Sequence, residues 1–110
     1  CRDVFVHEAI EGYIIALAKA TRQDDDLMLG VSPRGTLALY HTCQALAALR
    51  GRNYVIPDDV QDLAEPVLAH RLIPSTRMRL RGDTVRGILR RILETVPVPV
   101  EENWAGGAAA

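Results

Sequence analysis

The chain has 110 residues, 48% of them hydrophobic and 25% charged, with a formal net charge of −1. That composition fits one globular domain able to bury its own core, and its near-neutral balance sets up no global field toward nucleic acid or an anionic membrane. No apolar run approaches the ~20 residues that span a bilayer, no signal-peptide pattern opens the chain, and Cys1 and Cys43 form neither a disulfide framework nor a zinc spacing, which suits a reducing, cytoplasmic setting. Because it begins at Cys1 without a methionine, the chain reads as a piece of a longer protein. The spacing of Val6, Ile10, Tyr13, Ile14 and Leu17 predicts an amphipathic helix from about Val6 to Thr21. Asp24, Asp25 and Asp26 then read as a solvated turn rather than a metal site.

Ser32 and Pro33 mark a second helix start, Ser32 as the cap and Pro33 at the first helical position. This helix is predicted to run to Arg50, with Gly51 ending it. Leu37, Leu39, Tyr40, Cys43, Leu46, Ala47 and Leu49 go most of the way round, so it should be central to the fold, with Cys43 as a small core residue.

Asn53 to Ile56 is short, β-branched and aromatic, and suggests a brief strand. Pro57, Asp58 and Asp59 open a third helix with the stripe Val60, Leu63, Ala64, Val67 and Leu68. Ile56 falls at its cap, where it cannot accept a hydrogen bond, and Pro66 is expected to kink it. His70 and Arg71, near its end, suit the helix dipole.

"TRMRLRGD" alternates, which suggests a second strand with Met78 and Leu80 facing in and Arg77, Arg79 and Arg81 facing out. Asp83 would cap a fourth helix with the stripe Val85, Ile88, Leu89, Ile92 and Val96, ended by "VPVPV". Residues 100–110 read as a disordered tail. The predicted fold is mainly all-α: four helices with a short two-stranded β-ribbon, about 53–56 against 77–81.

Motifs for catalysis by this chain alone are missing. There is no phosphate-cradling G-x-x-x-x-G-K-[ST], no G-x-S-x-G, no H-E-x-x-H and no calcium loop. Cys43 and His41 lie two apart on a helix and point different ways. One oddity stands out in "LMLGVSPRGT". The first turn of a helix presents partly positive N–H groups, yet Arg34 adds a permanent cation there. An anion from outside the chain, a phosphate for choice, would complete the cluster, and Gly30 and Gly35 leave room for close approach. Against this stands the plain reading of Arg34 as solvated or paired with a carboxylate. Two rivals from other classes exist. Arg71 to Arg91 holds seven arginines against one acid, Asp83, a pattern seen on nucleic-acid surfaces, though without aromatic residues for stacking. The other is a helical bundle that only binds proteins.

The segments "GYIIALAKATR", "LMLGVSPRGTLAL", "ALRGRNYVIPDDVQDLAEPVLAHRL" and "ILRRILETVPVP" resemble, in order, the C-terminal lid of MoxR-type AAA+ ATPases, from about Val4 to Pro99. The resemblance implies the small helical domain that follows a P-loop α/β domain. It places Arg34 at the sensor-2 arginine, which reaches the γ-phosphate of ATP held with Mg2+ by another domain of the same or a neighbouring subunit. Ser32 and Pro33 would sit beside that phosphate. Tyr13 is a candidate for contacting the adenine or the hinge, alongside its reading as plain core. His70 and Arg71 match the family's "HR" without an assigned role. The resemblance further implies a homo-oligomeric ring with chaperone-like activity that helps insert metal cofactors into partner proteins, often beside von Willebrand factor A-type proteins. The isolated chain is expected to bind ATP poorly, and no resident metal or membrane contact is implied.

Overall fold

The computed structural model describes residues 4–82, 84–101 and 103–106. Helix α1 (Glu8–Gln23) starts two residues later than expected, because His7 Nδ1 accepts the Ala9 N–H at 3.0 Å and so caps it. Its buried residues, Ile10, Tyr13, Ile14, Leu17, Ala18 and Thr21, follow helical spacing along one side. Strand β1 (Leu27–Leu29) and helix α2 (Pro33–Leu49) follow. Ser32 Oγ accepts the Gly35 N–H at 3.1 Å, and Gly51 ends α2 at φ +81°, a left-handed conformation that needs no Cβ to be avoided.

Helix α2 is less enclosed than its composition suggests. It buries one narrow stripe, Gly35, Leu39, Cys43 and Ala47, while Leu37 and Leu49 remain exposed. Cys43 has no exposed surface, and burial, aided by the nearby Asp59 charge, pushes its thiol up to about 12. At pH 8 a thiol reagent should therefore leave the Cys43 peptide unmodified by mass spectrometry until denaturant unfolds the chain; rapid native-state modification would show an opening at α2.

Helix α3 (Pro57–Leu68) continues through Pro66 and then tightens into a 3-10 turn at Ala69–Arg71. Ile56 makes no side-chain cap, as its chemistry requires; instead Asp59, one turn in, reaches back to accept the Ile56 N–H at 3.0 Å. Strand β2 (Ile73–Pro74), helix α4 (Thr76–Leu80) and helix α5 (Val85–Thr95) complete the order. The expected cap Asp83 lies outside the described residues; Thr84 Oγ1 accepts the Gly87 N–H at 3.1 Å and caps α5.

A two-stranded ribbon is present, but in other segments than 53–56 and 77–81. β1 pairs antiparallel with β2, Leu27 opposite Pro74 and Leu29 opposite Ile73, with an irregularity between them. Pro74 is tolerated because a two-stranded ribbon is all edge. The segment expected as the second strand is helix α4, capped by Ser75. Its alternation spans too few residues to tell the two periods apart, and Arg, Met and Leu are good helix formers. Only Met78 turns inward; Leu80 is exposed. Tyr54 instead forms an isolated parallel bridge with Phe5, whose N–H donates to the Asn53 carbonyl at 2.8 Å.

The core collects Ile10, Leu17, Leu39, Val55, Val60, Leu68 and Leu89 from α1, α2, α3, α5 and the segment before α3. Among the described residues no buried side-chain nitrogen or oxygen lacks a partner, and no helix is long and apolar enough to cross a membrane. Beyond α5, Trp104 stands edge-on to His7 with ring centroids 5.7 Å apart.

Candidate functional site

The start of α2 is stitched to the end of α1. Thr21, fully buried, donates to the Ala18 carbonyl at 2.6 Å and accepts the Val31 N–H at 2.9 Å. Arg22 Nη1 donates to the Val31 carbonyl at 2.8 Å. Gly30 lies flat on this turn: a Cβ there would fall 2.7 Å from the Arg22 Cα and N and from the Thr21 carbonyl carbon. Those atoms are backbone and cannot swing aside. Gly30→Ala should therefore cost about 1–3 kcal/mol, read as a lower urea midpoint, because either the strand or the helix end must shift. An unchanged midpoint would mean that the two segments are not locked together.

From that point Ser32, Pro33 and Arg34 emerge at the surface, as the sequence suggests. Ser32 uses its hydroxyl on Gly35 and its carbonyl on Thr36, whose N–H donates at 2.9 Å. Pro33 has no N–H. Arg34 makes no side-chain hydrogen bond or ion pair among the described residues, and its guanidinium donors are open to solvent. That sets it apart from most arginines of the chain. Arg50 and Arg52 hold Asp59; Arg77 and Arg91 hold Asp26, with Arg91 also on Asp24 at 2.9 Å; Arg86 and Arg90 face Glu65. The acidic turn expected to be merely solvated thus clamps the β1 end to α4 and α5. Four of the seven arginines in the basic stretch, Arg77, Arg86, Arg90 and Arg91, thus meet three carboxylates of this chain, which lowers the net positive charge of the surface that the nucleic-acid reading needs. Exposed pairs of this kind add little stability, but they do neutralise charge.

Tyr13 is placed elsewhere. It is 3% exposed, and Gln61 Nε2 on α3 donates to its hydroxyl at 3.4 Å. Burial raises its phenol above the ordinary value, with the Gln61 bond opposing. The ring belongs to the core, so the structure does not bring Tyr13 to the surface that Arg34 occupies. Among the described residues no group of three or more His, Cys, Asp or Glu could hold a metal ion.

Three features of the site were not read from the sequence. Thr21 and Gly30 act across a turn, and Gly30 and Gly35, expected to leave room for an approaching anion, instead face this chain's own atoms, Gly30 the end of α1 and Gly35 the side chains of Val31 and Arg71. A groove of about 270 Å³ also runs beside Pro33 between α1 and α2, floored by Ile14 and walled by Ile15, Leu37 and Tyr40. Ile15 and Leu37 are 56% and 54% exposed. The available signal was that both are large apolar residues lying off the buried stripe of their helix.

The described architecture matches known proteins. The AAA lid domain family matches residues 19–92. Among curated proteins, uncharacterized protein YeaC of Bacillus subtilis is 40% identical over 93% of this chain and 32% of its own length. Chaperone MoxR1 of Mycobacterium tuberculosis is 34% identical over 86% of this chain and 28% of its own length. The solved structure of a candidate ATPase from Cytophaga hutchinsonii superposes with a TM-score of 0.83 at 30% identity, covering 89% of this chain and 32% of that one. The chain thus spans about a third of the length of the curated relatives it matches. With a matching helical fold, a matching family and MoxR-named relatives, this chain belongs to the AAA lid domain family and is a lid of the MoxR type.

Proposed function

We propose that this chain senses the nucleotide of a MoxR-type AAA+ ATPase, with Arg34 as the sensor-2 arginine. The observation that carries the reading is an exposed guanidinium without a partner among the described residues, on a helix start locked to the preceding helix. Its donors fit the γ-phosphate of ATP bound by a P-loop domain of the same or a neighbouring subunit. The first turn of α2, with Ser32 and Pro33, faces the same anion, and the helix dipole adds to the attraction. Among the described residues no cluster of acidic side chains could hold Mg2+, and in this reading the P-loop domain supplies its ligands.

The mechanism is electrostatic. Arg34 offsets charge that develops on the transferred phosphoryl group, and it does so without reorganising because its helix start is already held. Loss of the terminal phosphate removes the anion that ties the lid down, so lid angle reports nucleotide state. The exposed apolar groove of Ile15 and Leu37 beside Pro33 supplies a face for the nucleotide-holding domain to cover. In the whole protein this cycle drives a homo-oligomeric, cytoplasmic ring that remodels partner proteins in a chaperone-like way or helps insert their metal cofactors, with a von Willebrand factor A-type protein as one partner. The test is ATP turnover of the full-length protein carrying Arg34→Ala: a strong loss with the lid still folded is expected, and wild-type turnover overturns the reading.

A further inference from the structure

We propose that Arg71 is the positioning residue for Arg34, acting through its aliphatic stem on the first turn of α2. The inference rests on the reading of Arg34 as the phosphate contact. Arg71 closes the 3-10 turn after α3, and its Nε donates to the Val67 carbonyl at 3.2 Å. That bond explains the head of the side chain, as a cation on a helix's last carbonyls. It does not explain the stem, which crosses to another helix. A Cβ on Gly35 would lie 3.3 Å from Arg71 Cδ and 3.0 Å from Val31 Cγ1. The residue directly after Arg34 is therefore held between the Arg71 stem and the Val31 methyl, with its N–H on Ser32 Oγ.

Arg34 has no bond of its own to fix its direction among the described residues. Its aim is set by the backbone of the first helical turn, and terminal turns are where helices fray. The stem of Arg71 fills the space into which that turn would relax. It also accounts for a glycine at this helical position, since any Cβ would press on the stem or on Val31. Removing the stem leaves the phosphate contact chemically intact but less often aimed. Such a change lowers kcat while leaving the affinity for ATP, held chiefly by the other domain, nearly as it was.

The experiment is steady-state ATP turnover of the full-length protein with Arg71→Ala, Arg71→Met, Arg34→Ala and the Arg34→Ala/Arg71→Ala pair. Arg71→Ala is expected to lower kcat about tenfold with KM for ATP within about twofold. Arg71→Met, which keeps an unbranched stem and loses the charge, should stay within about threefold of wild type. In the Arg34→Ala background the Arg71 change should add nothing, a coupling that a purely structural role would not produce. Wild-type kcat in Arg71→Ala, an undiminished extra loss in the double variant, or Arg71→Met as slow as Arg71→Ala overturns the proposal. Should Arg71→Ala not fold, Arg71→Val, which keeps apolar bulk at the turn but ends short of the Cδ that reaches Gly35, must give the same Arg34-dependent loss; wild-type turnover there overturns the proposal equally. Wild-type turnover in Arg34→Ala alone overturns the phosphate reading itself. A slow Arg34→Ala beside an unaffected Arg71→Ala overturns only the positioning role.

Discussion

Arg34→Ala in the full-length ATPase should slow ATP turnover by about a hundredfold to a thousandfold, the usual loss when one preorganised donor to a transition-state charge is removed. The stability of the lid should hardly move. Arg34 is exposed and makes no side-chain hydrogen bond or ion pair among the described residues, so the change in unfolding free energy should stay within about 0.5 kcal/mol. The small sign expected is stabilising, because a cation leaves the positive end of α2. This combination of slow turnover and an unchanged or slightly raised melting midpoint separates a phosphate contact from a structural arginine. Arg34→Lys keeps a point charge but loses the planar fork, and it should recover only part of the rate. Normal turnover in Arg34→Ala, or a loss that merely tracks unfolding, would remove the site.

The second large effect concerns Asp59, which has no exposed surface. Its carboxylate accepts a bidentate pair from Arg52 at 2.7 and 2.8 Å, a bond from Arg50 at 3.0 Å and the Ile56 N–H at 3.0 Å. Asp59→Ala would strip the half-buried Arg52 of its carboxylate and α3 of its first-turn acceptor. Breaking a buried pair in this way costs about 3–5 kcal/mol, a large share of the roughly 5–15 kcal/mol that holds a domain of this size. The melting midpoint should fall by about 10 °C or more. A fall of only a degree or two would show that water reaches the pair.

The acid response of the chain carries the same signature. Burial is the largest single influence on Asp59 and pushes its carboxyl up. The Arg52 hydrogen bonds, the Ile56 N–H and the charges of Arg52 and Arg50 together outweigh it and hold the carboxyl below the ordinary range. A carboxyl depressed in the folded state contributes stability that is complete at neutral pH. That contribution starts to be lost as pH falls past the unfolded value of about 3.9, and it is gone below the folded value. Asp59→Asn should therefore flatten the wild-type decline in stability below about pH 4, read by urea unfolding across the acid range.

How far the sequence carried depends on the range of the interactions. α1, α2, α3 and α5 were legible because helical periodicity and caps act within a few residues: Ser32 and Pro33 start α2, Gly51 ends it, and Pro57 starts α3. For the same reason Arg34 could be singled out as a cation at a helix start. α4 was misread because five residues of alternation fit a helix turn as well as a strand. The ribbon partners were misassigned because β1 and β2 lie far apart in sequence, and no local signal couples Leu27 to Pro74.

Composition, periodicity and turn chemistry thus determined a mainly helical domain with an arginine at the start of its second long helix, while its likeness to a lid rested on the resemblance of its motifs to a family. The tertiary structure alone decided that Tyr13 is core, that Asp24 and Asp26 cancel arginines on α4 and α5, and that Thr21, Gly30 and Val31 lock two helices together. Each of these turns on which side chains meet across the fold. Local preference sets the conformation of a residue over a turn or two, whereas burial and pairing depend on chain segments brought together only when the whole core closes.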